Sequence, residues 1–408
     1  MLLCFIKCFY MNIKYGDIMK IIVISDIHLG IDDEISETVK NRPLLISFLK
    51  KIQAEKLADE VVINGDFLDQ WFLPGNFETN PDSDEFYKQV AKNNQDVIDE
   101  FKNLIDSGIR LVYVSGNHDM TLSHKTLEDI LPGIIQSRDV RGLGRYRTGR
   151  RGEIVIEHSH RYDMFCAPDI LTNSEFVEYG EPILPAGYFF ARVGVTSFME
   201  GMPEVEKEIK ELEMPSKDDE DQLAAYVYFK VWENVLLNMF PVNESFDEEF
   251  INVAVDGFKG KFSINDLIPT SHDDGIYANL YKNVQRNWAE VQRRNFVPSP
   301  NTPIECLKNL LNKDYYIDYS KKQYFDLDPT VDVVVFGHTH NPAYRVYDGF
   351  DKPKVVVNEG TWIDNNSDDP ENTATFALID SGVETTKVEL LKYVCDEFVK
   401  VKNEYVDY

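Results

Sequence analysis

Five times in this chain a short apolar run stops in a polar turn that carries aspartate, asparagine or histidine. The first, residues 21–24, runs into Ser25-Asp26-Ile27-His28 and closes at Gly30. Consecutive apolar residues bounded by such a turn read as a buried strand. Alternate residues of an extended chain share a side, so Asp26 and His28 point the same way. The run 60–64 ends in Gly65-Asp66-Phe67-Leu68-Asp69, and 110–115 ends in Gly116-Asn117-His118-Asp119. The run 153–157 delivers His158-Ser159-His160, and 331–336 delivers Gly337-His338-Thr339-His340. Any one of these turns alone reads as solvated. Together they hold six of the chain's eight histidines. Carboxylate oxygens and imidazole nitrogens make a metal donor set, and open α/β sheets build sites at the edge where strands end.

The segments between these runs alternate with them as helices. Residues 43–55 have helical apolar spacing, 84–107 read as one long amphipathic helix, and 122–131 as a short one closed by Pro132-Gly133. An arginine-rich hairpin spans 146–157. With its turn at Gly149 to Gly152, residue 148 pairs near 153 and residue 144 near 157, which brings Arg141 and Arg145 to the end where the histidines lie. The αβ rhythm then breaks over 161–330, where helical spacing, prolines and acidic patches replace strand alternation. This stretch reads as an inserted, mainly helical cap. Its segments 182–202 and 222–240 are broadly apolar, but Lys230 and Glu233 sit inside the second, which argues against a membrane span. Strand-like runs at 354–358, 373–380 and 387–393 close the chain, leaving 394–408 as an acidic tail.

Charge narrows the function. The chain has 408 residues and a formal net charge of -28, from 70 acidic against 42 basic residues. That field repels polyanions at long range and argues against extended nucleic acid as a partner. Small anionic substrates remain open, because bound cations invert the local field. Cys4, Cys8, Cys166, Cys306 and Cys395 are scattered and odd in number, which fits free thiols in a reducing cytoplasm. Residues 1–18 begin apolar, carry Lys7 within the run and lack a small-residue cleavage site, so Met19 is the expected start, with a short leader as the alternative.

The five motifs, Asp26-x-His28, Gly65-Asp66-x-x-Asp69, Gly116-Asn117-His118-Asp119, the turn at His158 and Gly337-His338-x-His340, resemble those of the calcineurin-like metallophosphoesterases in order and residue type. The resemblance covers about 19–160 and 331–393. It implies an α/β fold, a four-layer αββα sandwich of two mixed sheets flanked by helices, and a two-metal hydrolase. Carried over by position, it places Asp26, His28 and His340 on one metal, Asn117, His158 and His338 on the other, and Asp66 between them. A hydroxide shared by the metals would attack phosphorus in line. It gives His118 to the leaving group or transition-state oxygens as a proton or hydrogen-bond donor. Asp119 and Asp69 are expected to orient His118 and the metal ligands. His-Ser-His departs from the family's glycine-centred turn, so His158 or His160 is the ligand, with His158 favoured. Nitrogen and oxygen donors without sulfur suit manganese first, with iron or zinc as alternatives. Arg141 or Arg145, with His160, is expected to touch substrate.

The run Gly65-Asp-Phe-Leu-Asp-Gln-Trp-Phe72 also resembles the branch containing UDP-2,3-diacylglucosamine hydrolase, a pyrophosphate hydrolase. That branch differs near His118 and His158 and has a shorter insert. The expected activity is therefore a phosphodiesterase or pyrophosphatase on a small phosphorylated substrate, with a phosphomonoesterase as the alternative. A metal-binding scaffold without chemistry is the other class, and the complete ligand set argues against it.

Overall fold

The computed structural model describes residues 18–204, 208–309, 315–365 and 372–401. The expectations for residues 1–17, Cys4 and Cys8 among them, and for 402–408 lie outside the described residues. The chain begins with β1 (Met19–Ile24), α1 (Arg42–Glu55), β2 (Glu60–Asn64), α2 (Ser83–Asn93), α3 (Gln95–Asp106) and β3 (Arg110–Val114). It continues through α4 (His124–Ile130), β4 (Ile135–Ser137), β5 (Tyr146–Thr148) and β6 (Ile154–Glu157). The insert contains α5 (Ala186–Met199), α6 (Glu220–Asn234), β7 (Ile251–Val255), β8 (Phe258–Phe262), β9 (Thr270–His272), β10 (Gly275–Tyr277), α7 (Val284–Arg294), α8 (Pro303–Asn309) and α9 (Tyr315–Ser320). Strands β11 (Val333–Phe336), β12 (Ala343–Tyr347), β13 (Lys354–Asn358), β14 (Thr375–Ser381), β15 (Thr386–Val394) and β16 (Glu397–Lys400) follow.

Two mixed sheets form the centre, one ordered β16-β15-β14-β1-β2-β3-β4 and the other β12-β13-β11-β6-β5. Strand alternation decides which residues face which layer. Ile21, Val23, Val62, Val112 and Val114 of the first sheet share one apolar cluster with Ile154, Ile156, Val333, Val335 and Val357 of the second, which is the sheet-on-sheet layer. Their neighbours Ile22, Ile24, Val61, Ile63, Leu111 and Tyr113 turn the other way and pack under α1, α2 and α3. The expected αββα sandwich is therefore present.

Register then sets the site's place. Strands β1, β2 and β3 are parallel, with Ile24 opposite Ile63 and Asn64 opposite Val114. Strands β6, β11 and β13 are also parallel, with Phe336 opposite both Glu157 and Asn358. All six end at matching levels, so the turns that follow them are neighbours.

Several boundaries differ from the sequence reading. The long helix at 84–107 is two helices broken at Asn94, whose side-chain amide donates to the carbonyls of Gly30 and Val90 at 2.9 Å each. The arginine hairpin slips by one residue: Thr148 pairs with Ile154 and Tyr146 with Ile156. A one-residue slip exchanges the two faces of a strand. Strand β12 lies in what read as loop, and β16 extends the first sheet into the expected tail. The insert is not only helical, since it carries the hairpins β7–β8 and β9–β10.

The insert's end also belongs to the core. Val155, Val334, Phe336 and Val356 on the outer face of the second sheet are covered by Val297, Ile317, Tyr319, Tyr324 and Phe325. The sandwich's fourth layer thus comes from inside 161–330, and the self-contained part of the insert is narrower than its sequence limits. Asn295 donates to the Pro168 carbonyl at 3.0 Å, so the chain leaves and rejoins the core at nearly one point.

Candidate metal centre

Three of the six strand-end turns, those after β1, β2 and β11, hold functional residues in a costly backbone conformation. Asp26, His28, Asp66, His338 and His340 all have φ between 48° and 74°, in the left-handed region. Each such non-glycine residue costs about 1–3 kcal/mol and persists only where surrounding structure enforces it. Here the enforcement is visible. Asp26 N–H donates to the Gly65 carbonyl at 3.2 Å, and the Ile27 and His28 amides both donate to the Asp66 carbonyl at 2.9 Å. Gly65 has φ +87°, and a Cβ there would lie 2.6 Å from the His158 ring. A Cβ at Gly116 would collide with the Asp66 carboxylate, so both motif glycines are required by close approach.

These turns bring two sets of donor atoms together. Asp26, His28 and His340 form one group whose ligand atoms lie within 4.8 Å of one another, and Asp26, Asp66 and His158 form a second. His340 Nε2 stands 3.2 Å from Asp26 Oδ1 and 3.1 Å from His28 Nε2. His158 Nε2 stands 3.2 Å from Asp66 Oδ2 and 3.1 Å from Asn117 Oδ1. Asp66 Oδ2 is also 3.6 Å from His28 Nε2 and so lies between the groups, while its Oδ1 accepts the His118 amide at 2.8 Å. His338 is placed differently: its Nε2 faces Asp163 Oδ2 at 3.3 Å, and its ring centroid is 5.3 Å from that of His158.

The donor set fits cations. His28 Nδ1 is 2.7 Å from Asp69 Oδ2, and His158 Nδ1 is 2.7 Å from the Asn64 carbonyl. Both oxygens only accept, so the ring protons sit on Nδ1 and the Nε2 lone pairs point inward. There they meet the acceptor oxygens of Asp26, Asp66 and Asn117, and His28 Nε2 also meets His340 Nε2 at 3.1 Å. Asp26 Oδ1 is buried and has no hydrogen-bond donor. Acceptors gathered around acceptors need positive charge between them.

Without a metal, protons supply it. Burial opposes charge on His158, yet Asp66 and Asp26 push its pKa up to about 9. Burial likewise opposes charge on His28, but Glu37, Asp26, Asp69 and Asp66 hold it well above the usual imidazole range. In return His158 and His340 overcome the burial of Asp26 and keep its carboxyl far below the usual range. Asp66 is held low in the same way, against burial, by His158 and His118.

The remaining expected residues fall into distinct places. His118 Nδ1 donates to Asp69 Oδ2 at 2.8 Å, and its ring stacks on Trp71 at 4.6 Å. Asp69 thus accepts from both His28 and His118, while its Oδ1 takes the Trp71 and Phe72 amides. Asp119 does not meet His118 through its carboxylate. It accepts the Phe67 and Gly116 amides at 2.8 Å each and ties together the turns carrying Asp66 and Asn117. Burial and the charge of Asp66 push its pKa up to about 6 against those two amides. His160 stays behind the cluster, its Nε2 donating to the Gly142 carbonyl at 2.9 Å. Burial and repulsion from His158 and His338 keep it well below the usual range.

The two arginines are committed elsewhere. Arg145 pairs with Glu157 at 3.5 Å and lies over the Tyr324 ring at 5.2 Å. Arg141 pairs with Asp256 of the insert at 3.1 Å, lining a cavity of about 380 Å³ with Met120, His124, Arg138 and Gly142. Sequence reasoning missed Asp163, Glu37 and Glu359. Glu37 Oε2 reaches His28 Nδ1 at 3.2 Å. Glu359 is buried, takes Asn64 Nδ2 at 2.8 Å, and has its pKa pushed up to about 8 by burial and by Asp26. Each is an isolated carboxylate in sequence, with no motif around it.

A sequence profile of the calcineurin-like phosphoesterases matches residues 19–342 of this chain. The chain belongs to that family. As a calcineurin-like phosphoesterase it is a metal-dependent hydrolase of a family that works with dinuclear centres. No curated protein matches the sequence. Among solved structures, a dimetal phosphatase from Danio rerio is 13% identical with a TM-score of 0.38, covering 94% of this chain and 99% of its own. GAP50, the anchor in the inner membrane complex of Plasmodium, is 11% identical with a TM-score of 0.33, covering 95% and 90%. Phosphopantetheinyl hydrolase (PptH) from Mycobacterium tuberculosis is 11% identical with a TM-score of 0.27, covering 85% and 91%. Scores this low say nothing of substrate. Among the described residues of the phosphoesterase, no helix is long and apolar enough to cross a membrane.

With His158 as a metal ligand, metal uptake would be a proton exchange. The metal-free His158 is raised above the usual 6.5, so its protonation stabilises the metal-free fold fully below 6.5, and that contribution is lost as pH rises through about 9. Metal needs the neutral ring, so affinity runs the opposite way. Apparent Mn²⁺ affinity is expected to rise by about tenfold per pH unit up to about pH 9, with proton release seen by calorimetry in two buffers. A pH-independent affinity with no proton release would contradict the raised pKa of His158 or its place as a ligand.

Proposed function

We propose that this phosphoesterase hydrolyses a phosphodiester or pyrophosphate bond in a small molecule at two divalent metals. The observation that carries this is the buried convergence of oxygen and nitrogen ligand atoms from Asp26, His28, Asp66, His158 and His340, with Asn117 Oδ1 3.1 Å from His158 Nε2. Asp26, His28 and His340 would hold one metal, Asn117, His158 and His338 the other, and Asp66 both through Oδ2. Manganese is the first candidate, because the proposed donors are oxygen and nitrogen without sulfur. Bound there, the metals would turn water into a nucleophile at neutral pH and neutralise phosphoryl charge.

The chain's own groups do the rest. Burial opposes charge on His118, but the neighbouring Asp69 and Asp66 carboxylates raise its pKa above the usual imidazole value, which favours the protonated ring. Its Nδ1–H is taken by Asp69, which leaves the opposite edge of the ring to donate to the leaving oxygen. Its side chain is 16% exposed, against 0% for His28 and His158, so among these three it is the one that substrate reaches. The net charge of -28 disfavours long polyanions and supports a small substrate. The insert is proposed to select the substrate's non-phosphate part, with Arg141 on the boundary cavity.

Elemental analysis followed by hydrolysis of bis-p-nitrophenyl phosphate and p-nitrophenyl phosphate tests this. The expected result is two metals per chain and preferred cleavage of the diester, abolished by chelation and restored by Mn²⁺. Monoester preference would replace the diesterase by a phosphomonoesterase, and a two-metal protein inert to both esters would end the proposal. The same assay on a chain with 169–294 replaced by a short linker, which spares the fourth layer, should keep hydrolysis and lose discrimination among larger diesters. Unchanged discrimination in that folded, metal-loaded chain would remove the insert from selection.

A further inference from the structure

Three imidazoles of the centre are oriented by an oxygen at one ring nitrogen, and one of the three is oriented in reverse. His28 and His158 donate from Nδ1, to Asp69 and to the Asn64 carbonyl, and present Nε2 inward. His338 instead faces Asp163 Oδ2 with Nε2, at 3.3 Å. A carboxylate only accepts, so the His338 proton sits on Nε2 and the lone pair on Nδ1. The partners of His28 and His158 belong to the core, Asp69 in a turn and Asn64 at the end of β2. Asp163 comes from the first turn of the insert, three residues after His160.

Asp163 is itself held in place. Its Oδ1 accepts the Phe165 amide at 2.8 Å, and its carbonyl accepts the Ala167 amide at 2.8 Å and the Cys166 amide at 3.2 Å. Phe165 stacks on Tyr228 of α6 at 5.3 Å and meets Phe190 of α5 at 5.1 Å. The Phe165 carbonyl takes the Gly187 amide at 2.7 Å, which pins the turn to the start of α5. Both side chains are nearly closed to solvent, His338 at 9% and Asp163 at 8%.

We propose that Asp163 is a positioning residue for the second metal. It fixes the tautomer and the ring orientation of His338 so that Nδ1 is the ligating atom, and it ties that ligand to the packing of the insert. This rests on the proposed place of His338 at the second metal. The insert then contributes to the centre itself as well as to substrate choice.

Asp163→Asn in the full chain is the discriminating variant. The asparagine Oδ1 can keep the Phe165 amide while its NH₂ faces His338, which favours the other tautomer, with the proton on Nδ1. The expected result, with Mn²⁺ as the probe, is that affinity for the second equivalent falls 10–100-fold and the first is unchanged. In the metal-free protein, long-range ¹H–¹⁵N spectra should place the His338 proton on Nε2 in the wild type and on Nδ1 in the variant. His338→Ala separates the two ideas. If it still binds two equivalents with wild-type affinity, the ligand assignment fails. If it loses one while Asp163→Asn keeps both at wild-type affinity, the role of Asp163 fails alone. A wild-type His338 proton on Nδ1 would overturn the proposal whether or not the variant folds. A third Mn²⁺ equivalent in the wild type that disappears in Cys166→Ser would also overturn it, because Asp163 would then be a ligand within the Asp163, Cys166, His338 group.

Discussion

Asp66→Asn is expected to abolish turnover and to lower metal content at both positions together. The reason is geometric: Oδ2 stands close to imidazoles of both groups, 3.2 Å from His158 and 3.6 Å from His28, nearer to His158 than Asp26 Oδ1 is at 3.9 Å. Oδ1 is already taken by the His118 amide at 2.8 Å. An asparagine that keeps this bond must turn its NH₂ toward two imidazole lone pairs, which replaces an anionic acceptor by a neutral donor. That removes the shared charge and puts a proton where a cation would sit. Elemental analysis and steady-state rates on the same preparation decide it. A variant with two metals and a near-normal rate would show that Asp66 does not bridge.

How much of this was open to inspection in the sequence follows from where each residue gets its position. The strands that carry the site were legible because they are buried on both faces and so read as unbroken apolar runs. Their turns were legible because six histidines fell on them. Part of what failed depended on residues far apart, and part on turns read too coarsely. The helix at 84–107 breaks because Asn94 takes the Gly30 carbonyl, a contact no local pattern announces. The hairpin register slipped because Gly149 to Gly152 permits more than one turn. The β7–β8 hairpin had a signal that went unread, Asp256-Gly257 between alternating runs, with both residues at positive φ. The fourth layer was assigned to the insert because residues 315–325 have helical spacing and nothing local says which sheet they cover.

The site shows the same division. The positions of Asp26, His28, Asp66, Asn117, His158 and His340 follow from strand ends, and the structure brings them together. Asp69 was foreseen as an orienting group, and its two-ring contact is seen. Asp119 was expected to orient His118 and the metal ligands; its carboxylate takes two backbone amides in the turns that carry Asp66 and Asn117 and does not meet the His118 ring. Asp163, Glu37 and Glu359 could not be found, since a lone carboxylate gains meaning only from the ring it faces. Arg145 was drawn toward the centre by a register one residue out, and it instead neutralises the buried Glu157.

His118→Ala should separate chemistry from metal binding. His118 lies against the centre without belonging to either donor group built on Asp26: its ring meets His28 edge-on at 4.5 Å and its Nδ1 goes to Asp69. Removing the ring leaves the His118 amide on Asp66 Oδ1 intact, because that bond is made by backbone. Asp69 keeps His28 and the Trp71 and Phe72 amides, so its place is over-determined. Metal content is therefore expected to stay at the wild-type value while the rate falls by about 10²–10⁴, the usual worth of a positioned proton donor. The loss should be smaller for a diester with an acidic phenol as leaving group, which departs without a proton, and larger for an alkyl ester. Asp69→Ala provides the contrast, because it releases His28 and His118 together and should lower both metal content and rate. Loss of metal in His118→Ala, or an equal rate loss for acidic and alkyl leaving groups, would take the proton-donor role from His118.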